Sequence, residues 1–208
     1  NATSPMAVII DDVGQAPVSI QAALMQPVEA RRMNDWEISP YVRFILTTND
    51  RSHHAGVQTV IEPLKGRCCI LELENTLSDW VQWALTANVP TEIIGFYSFR
   101  PDLLNKFAPS SDITNSPTAR QAFNTGKIFR LADPRDRLSL FAGCLGKPAA
   151  IELMAFLAAP TNLDAILIDP LGADVPCNPS IIYATIAGLC ARTTTGNYAA
   201  IMSFVTRL

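Results

Sequence analysis

The sequence predicts an α/β layer over residues 1–74 followed by an all-helical remainder. Three features carry that prediction. Short apolar runs at 7–10, 41–48 and 68–73 are too brief for buried helices and have the composition of strands in a parallel sheet covered by helices. From about Thr76 the pattern shifts to helical spacing, with cap residues ahead of each apolar stripe. The 208 residues, 49% of them apolar, are enough to bury a core in one or two domains.

The first run reads AVIIDDVGQ over 7–15, so its apolar stretch ends in Asp11 and Asp12 and breaks at Gly14. This pattern suggests a strand buried on both faces. Ligand chemistry in parallel sheets gathers at the carboxyl ends of the strands, which is where both carboxylates fall. One carboxylate there can hold a hydrated Mg²⁺ and the next can orient an attacking water. A strand end closed by solvated aspartates reads the same way. Pro27 should kink or shorten the helix that carries Gln21. The second run, YVRFILTT over 41–48, leads into Asn49, whose amide at the same edge can position a water against a phosphate without repelling it. Asn49–Asp50 also suits a plain turn. The third, CCILEL over 68–73, follows an apolar stretch at 57–64 and the basic residues Lys65 and Arg67. Three strands with helical segments between them make a parallel α/β layer.

In the helical part, Thr76 or Ser78 can cap a helix whose Trp80, Trp83 and Ala84 form one stripe. Pro90 opens a segment reaching Phe96 and Phe99, and Pro101 a short one through Leu103, Leu104 and Phe107. Asn115 or Ser116, with Pro117, begins the helix of Arg120, Phe123, Ile128 and Leu131. Helical spacing continues from Asp136 through Gly146 and from Lys147 to Ala159, where Pro160 ends it. Residues 169–179 (DPLGADVPCNP) form a turn-rich connector before two more helices, at 180–192 and about 195–208. This last third carries no chemical motif and reads as packing or subunit contact.

Charged residues make up 17% of the chain, against a typical share of about 25%, so some apolar surface is expected to meet a partner. A net charge of −3 gives no basic field for nucleic acid. No apolar stretch approaches the roughly 20 residues of a membrane span, and no signal peptide is visible, so the expected setting is the cytoplasm. Five cysteines, with Cys68 and Cys69 adjacent, fit neither a disulfide framework nor a zinc site, and that pair reads as core filler. His53 and His54 lack companion ligands and read as solvated loop residues.

Taken in order, four segments between about residues 6 and 135 resemble the MoxR-type AAA+ ATPases. DDVGQAPVSIQAALMQ, 11–26, is similar to their Walker B region: an acidic pair, a short turn, Ala16–Pro17, a spacer, then Gln21 and Leu24–Met25. ILTTN, 45–49, resembles a sensor 1 strand ending at Asn49. EPLKGRCCILEL, 62–73, resembles the arginine-finger segment and the strand after it. NSPTARQAFN, 115–124, resembles the sensor 2 helix.

The resemblance implies a partial P-loop AAA+ core over 1–74, a helical lid over 75–159 and a C-terminal helical extension over 160–208. It implies that Asp11 holds Mg²⁺ through its water shell, with Asp12 beside it as catalytic base. Asn49 would be sensor 1, Arg120 sensor 2, and Arg67 a finger for the γ-phosphate of ATP on a neighbouring subunit. The implied activity is Mg-ATP hydrolysis in a ring that remodels a partner protein, chaperone-like. Four departures stand out, the first being the break at Pro27 in the helix that carries Gln21. Asp12 occupies a position where many relatives have glutamate, one methylene longer. SPTAR sets its arginine further from the proline than a plain Ser-Pro-Arg would. No GxxxxGK[ST] loop occurs; Gly66, Gly126–Lys127 and Gly146–Lys147 lack its spacing. Family order puts that loop ahead of Walker B, and its strand between the sensor 1 strand and the last core strand. The expectation is therefore a C-terminal portion of a longer ATPase, inactive and poorly soluble alone because strand edges lie open. The alternative is a non-catalytic interaction module on the same scaffold.

Overall fold

The computed structural model describes residues 3–49, 60–108, 112–159 and 161–208. Asp50, His53, His54, Pro160 and the start of the 57–64 stretch lie outside them. The chain forms two compact units, Asn1–Leu73 and Glu74–Leu208. The first mixes strands and helices; the second is helical.

In the first unit, β1 (Met6–Ile10) pairs in parallel with β4 (Val42–Leu46), Met6 opposite Val42 and Ile10 opposite Leu46. A parallel pair needs a crossover, and the residues between supply it. A single 3₁₀ turn (Val13–Gln15) leads to α1 (Val18–Met25). Pro27 acts as its chemistry requires: it has no N–H for the helical ladder, so α1 stops at Met25 and a wider π-helical turn, Gln26–Ala30, carries the chain past the ring. Arg31, in the left-handed conformation (φ 56°), ends that turn. Its Nη2 donates to the carbonyls of Ser39 (2.6 Å) and Val42 (2.8 Å), pinning the base of a small hairpin, β2 (Arg32–Met33) and β3 (Trp36–Glu37). The sequence did not announce this hairpin, because two-residue strands are too short to display a period of two. Its Trp36 is 80% exposed. α2 (Glu62–Lys65) closes the unit, with Pro63 in its first turn.

Three expectations are corrected. Residues 68–73 form no strand: among the described residues nothing pairs with them, and Ile70, Leu71 and Leu73 are exposed, the last at 95%. β1 and β4 are not buried on both faces. Their sheet has only these two strands among the described residues, and Ile9 on β1 remains 64% exposed. Nor are Cys68 and Cys69 core filler, since one is half-buried and the other exposed.

The second unit opens with α3 (Leu77–Thr86), whose cap Thr76 accepts from the Asp79 N–H at 3.2 Å. Trp80 and Ala84 are buried, while Trp83 turns outward against the edge of Phe123. α4 (Thr91–Phe99) follows Pro90, and Pro101–Leu103 is one 3₁₀ turn. α5 (Ala119–Leu131) is capped by Thr118 rather than by Asn115 or Ser116. Those two are engaged elsewhere: Asn115 Nδ2 donates to the Gly143 carbonyl, and Ser116 Oγ bonds both the N–H and the carbonyl of Ala108. Gly146 (φ 78°) separates α6 (Arg137–Leu145) from α7 (Lys147–Leu157). α8 (Leu163–Ile168), not anticipated from sequence, starts at an Asn162 cap. α9 (Pro179–Ala191) and α10 (Tyr198–Val205) complete the chain.

The main core joins Trp80, Ile93, Phe96, Tyr97, Phe141, Leu145, Leu153 and Phe156. The most extensive helix contact in this unit is α4 on α9, and a second apolar cluster, Ile166, Leu189, Ile201 and Phe204, ties α8 and α10 to α9. Residues 160–208 thus pack within the same unit as 75–159. No helix among the described residues is long and apolar enough to cross a membrane.

Candidate functional site

Because β1 and β4 run parallel and in register, their carboxyl ends emerge on one edge of the sheet. The ladder continues past both strands: Thr47 N–H donates to the Ile10 carbonyl (3.0 Å) and Val13 N–H to the Thr47 carbonyl (2.9 Å). Asp11 and Asp12 therefore leave β1 directly beside the Thr47–Asn49 segment. Asp12 adopts the left-handed conformation (φ 52°, ψ 40°), which aspartate tolerates better than most residues. Its N–H donates to Thr47 Oγ1 at 3.1 Å, and the Thr47 hydroxyl donates in turn to Asp11 Oδ1. Asn49 Nδ2 donates to Asp12 Oδ1 at 3.2 Å.

Three of the sequence-derived residues, Asp11, Asp12 and Asn49, thus meet at one solvent-open edge. Thr47 joins them unannounced. The register would have found it, since continuing the Ile10–Leu46 pairing by one residue sets Thr47 opposite Asp11.

The donor set consists of hard carboxylate, hydroxyl and amide oxygens. Among the described residues no group of three or more His, Cys, Asp or Glu side chains could enclose a metal. Two exposed carboxylates suit a cation that keeps most of its water, as Mg²⁺ does, better than one held in an all-protein cage. Asp11 and Asp12 fit that ion on these grounds.

Behind the edge lies a buried amide. Gln21 on α1 has no exposed surface; its Nε2 donates to the Ala16 carbonyl and its Oε1 accepts from the Ile61 N–H, both at 2.9 Å. It ties the turn that follows the acids to the start of α2. Arg67, two residues beyond α2, folds back onto its own unit: Nε donates to Glu29 Oε2 and Nη1 to the Pro63 carbonyl (2.6 Å). Arg120 belongs to the second unit, exposed in the first turn of α5.

No protein-family model matches the chain, and neither does a curated protein or a solved structure.

Proposed function

We infer that the chain is part of an AAA+ ATPase of MoxR type, which hydrolyses Mg-ATP in a ring and remodels a partner protein. The observation that carries this reading is the convergence of Asp11, Asp12 and Asn49 at the carboxyl edge of a parallel strand pair, the Asn49 amide on the Asp12 carboxylate. Asp11 would hold Mg²⁺ through water. When bound, that ion neutralises charge on the phosphate oxygens. Asp12 takes the general-base position, and its bond from Asn49 fixes the carboxylate relative to the amide that would orient the attacking water. Arg67 is the arginine offered to a neighbouring subunit's γ-phosphate, its planar fork matching the oxygens there. Arg120, exposed on α5, takes the sensor 2 role.

The sequence holds no GxxxxGK[ST] loop, so this reading requires a phosphate cradle supplied from outside residues 1–208. The test begins with the reading frame ahead of Asn1 and continues with turnover of the completed chain. A Gly-rich lysine loop after an apolar strand is expected there, with hydrolysis lost and nucleotide binding kept in Asp12→Ala. A frame without that loop, or unchanged turnover in Asp12→Ala, removes the ATPase reading.

A second reading, a non-catalytic interaction module, draws support from Arg67. Its guanidinium is engaged by Glu29 and Pro63 within its own chain, as a structural tie would be. An exposed ion pair contributes about 0–1 kcal/mol, however, so polyphosphate could displace Glu29 readily. Arg67→Ala separates the two readings. Turnover lost only in assembled rings supports the finger, whereas unchanged turnover with lowered stability supports the tie.

A further inference from the structure

We propose that a cavity lined by α8, α9 and the connector between them binds a small aliphatic amine that carries a hydroxyl at its far end. The cavity encloses about 420 Å³ and belongs wholly to the second unit. Small-molecule sites typically enclose roughly 300–1,000 Å³. The site stands whether or not the acidic edge of the first unit handles nucleotide.

The observation that points to a ligand is Thr185. A serine or threonine inside a helix commonly turns its hydroxyl back onto the carbonyl four residues earlier. Thr125 in α5 does so, donating to the Gln121 carbonyl at 2.8 Å, and Ser98 in α4 donates to the Ile94 carbonyl at 2.9 Å. Thr185 lies within α9 and is only 2% exposed, yet its hydroxyl has no hydrogen-bond partner among the described residues. The Tyr97 hydroxyl, also unpartnered, is sealed in the core; that of Thr185 keeps the residue's remaining surface, which opens into the cavity. Leaving a buried hydroxyl unpaired costs stability, and a ligand that pairs with it recovers that cost.

The walls specify the remainder of the molecule. Ala165 and Ile166 on α8 and Ile181 on α9 are apolar. Among the described residues no Lys, Arg or His lines the cavity, and its one carboxylate is the exposed Asp174 at the rim. An anion entering there meets a like charge and no cation, whereas an ammonium group meets a counter-charge. The connector wall is fixed from two sides. Asp169 Oδ1 accepts the Gly172 N–H at 2.9 Å, and Arg207 Nη1 donates to the carbonyls of Pro170 (2.7 Å) and Ala173 (2.9 Å). The ligand thus sets its hydroxyl on Thr185, its chain against Ile166 and Ile181, and its ammonium toward Asp174.

The probe is aminohexanol, titrated against the 208-residue chain by saturation-transfer difference NMR beside hexylamine and hydroxyhexanoate. Wild-type chain is expected to bind aminohexanol about tenfold more tightly than hexylamine, which lacks the hydroxyl, and not to bind hydroxyhexanoate. Thr185→Val keeps the shape and should remove that tenfold preference. Asp174→Asn should weaken both amines by about threefold. Ala165→Leu fills the cavity and should abolish binding of both. No binding of aminohexanol by wild type, or unchanged binding in Thr185→Val or in Ala165→Leu, overturns the proposal. Unchanged binding in Asp174→Asn, or hydroxyhexanoate bound as tightly as aminohexanol, overturns the assignment of an amine. Should Thr185→Val not fold, the wild-type chain decides: equal affinities for aminohexanol and hexylamine overturn the site, and the tenfold preference upholds it.

Discussion

Gln21 and Tyr97 are both fully buried polar side chains, and their hydrogen bonding predicts opposite responses to truncation. Gln21 satisfies the Ala16 carbonyl and the Ile61 N–H together, so Gln21→Leu leaves two half-buried backbone groups without that partner. Unfolding of that variant by denaturant is expected to show a loss of about 2–3 kcal/mol. The Tyr97 hydroxyl has no partner among the described residues. Tyr97→Phe removes a desolvated group that returns nothing, and is expected to raise stability by about 1 kcal/mol at neutral pH. Burial pushes the Tyr97 phenol well above its ordinary value, with the nearby Cys144 adding to the effect. The folded chain therefore keeps this proton where the unfolded chain releases it. Below about pH 10 the phenol is neutral in both states and adds no pH dependence; above it, holding the proton costs the folded chain stability progressively. Wild-type stability should fall across that alkaline window, and Tyr97→Phe should flatten the slope. At this scale the sequence was legible wherever chemistry forces a residue type. Asp11, Asp12 and Asn49 could be set at one sheet edge because each follows an apolar run, a position that Asp and Asn also take as plain turn formers. Thr47 could not, because a threonine in a β-rich run looks like any strand former until the register is known.

Helices were legible because their signals are local. The cap at Thr76, the prolines at 90 and 101, and the break at Pro27 each act within a turn of their own position. The misses depend on distant partners: Thr118 caps α5 only because Asn115 and Ser116 are bound elsewhere, and 68–73 forms no strand because nothing pairs with it. Two helical glycines turn this distinction into a prediction. A Cβ at Gly95 would come within 2.5 Å of the Ala187 Cβ, so α4 and α9 approach this closely only because no side chain intervenes. Gly95→Ala must spread that packing, at an expected net cost of about 1–3 kcal/mol despite the better helix propensity of alanine. Gly143 in α6 has nothing within 4 Å of the same position. There Gly143→Ala is expected to stabilise by about 0.5–1 kcal/mol through the unfolded chain alone. Thermal unfolding of both variants checks the pair, and equal effects would mean that the α4–α9 contact is looser than described.

On the scale of the whole molecule, the two units differ in how completely each satisfies itself. Residues 74–208 enclose aromatic and aliphatic side chains from α3 to α10. Residues 1–73 hold a two-strand sheet whose outer edges are unpaired among the described residues, and then a run of exposed Ile70, Leu71 and Leu73. Open edges beside unpaired apolar chain are sites for self-association. A further strand would cover one of those edges and offer a pairing partner to that apolar run. Digestion with a glutamate-specific protease separates the two behaviours, since Glu72 and Glu74 are exposed in backbone outside any helix or strand. Cleavage is expected there first. The C-terminal fragment should then remain soluble and unfold in one cooperative step, while the N-terminal fragment precipitates. A soluble, folded, monomeric N-terminal fragment would mean that its sheet needs no further strand, and the expectation of a missing central strand would fall with it.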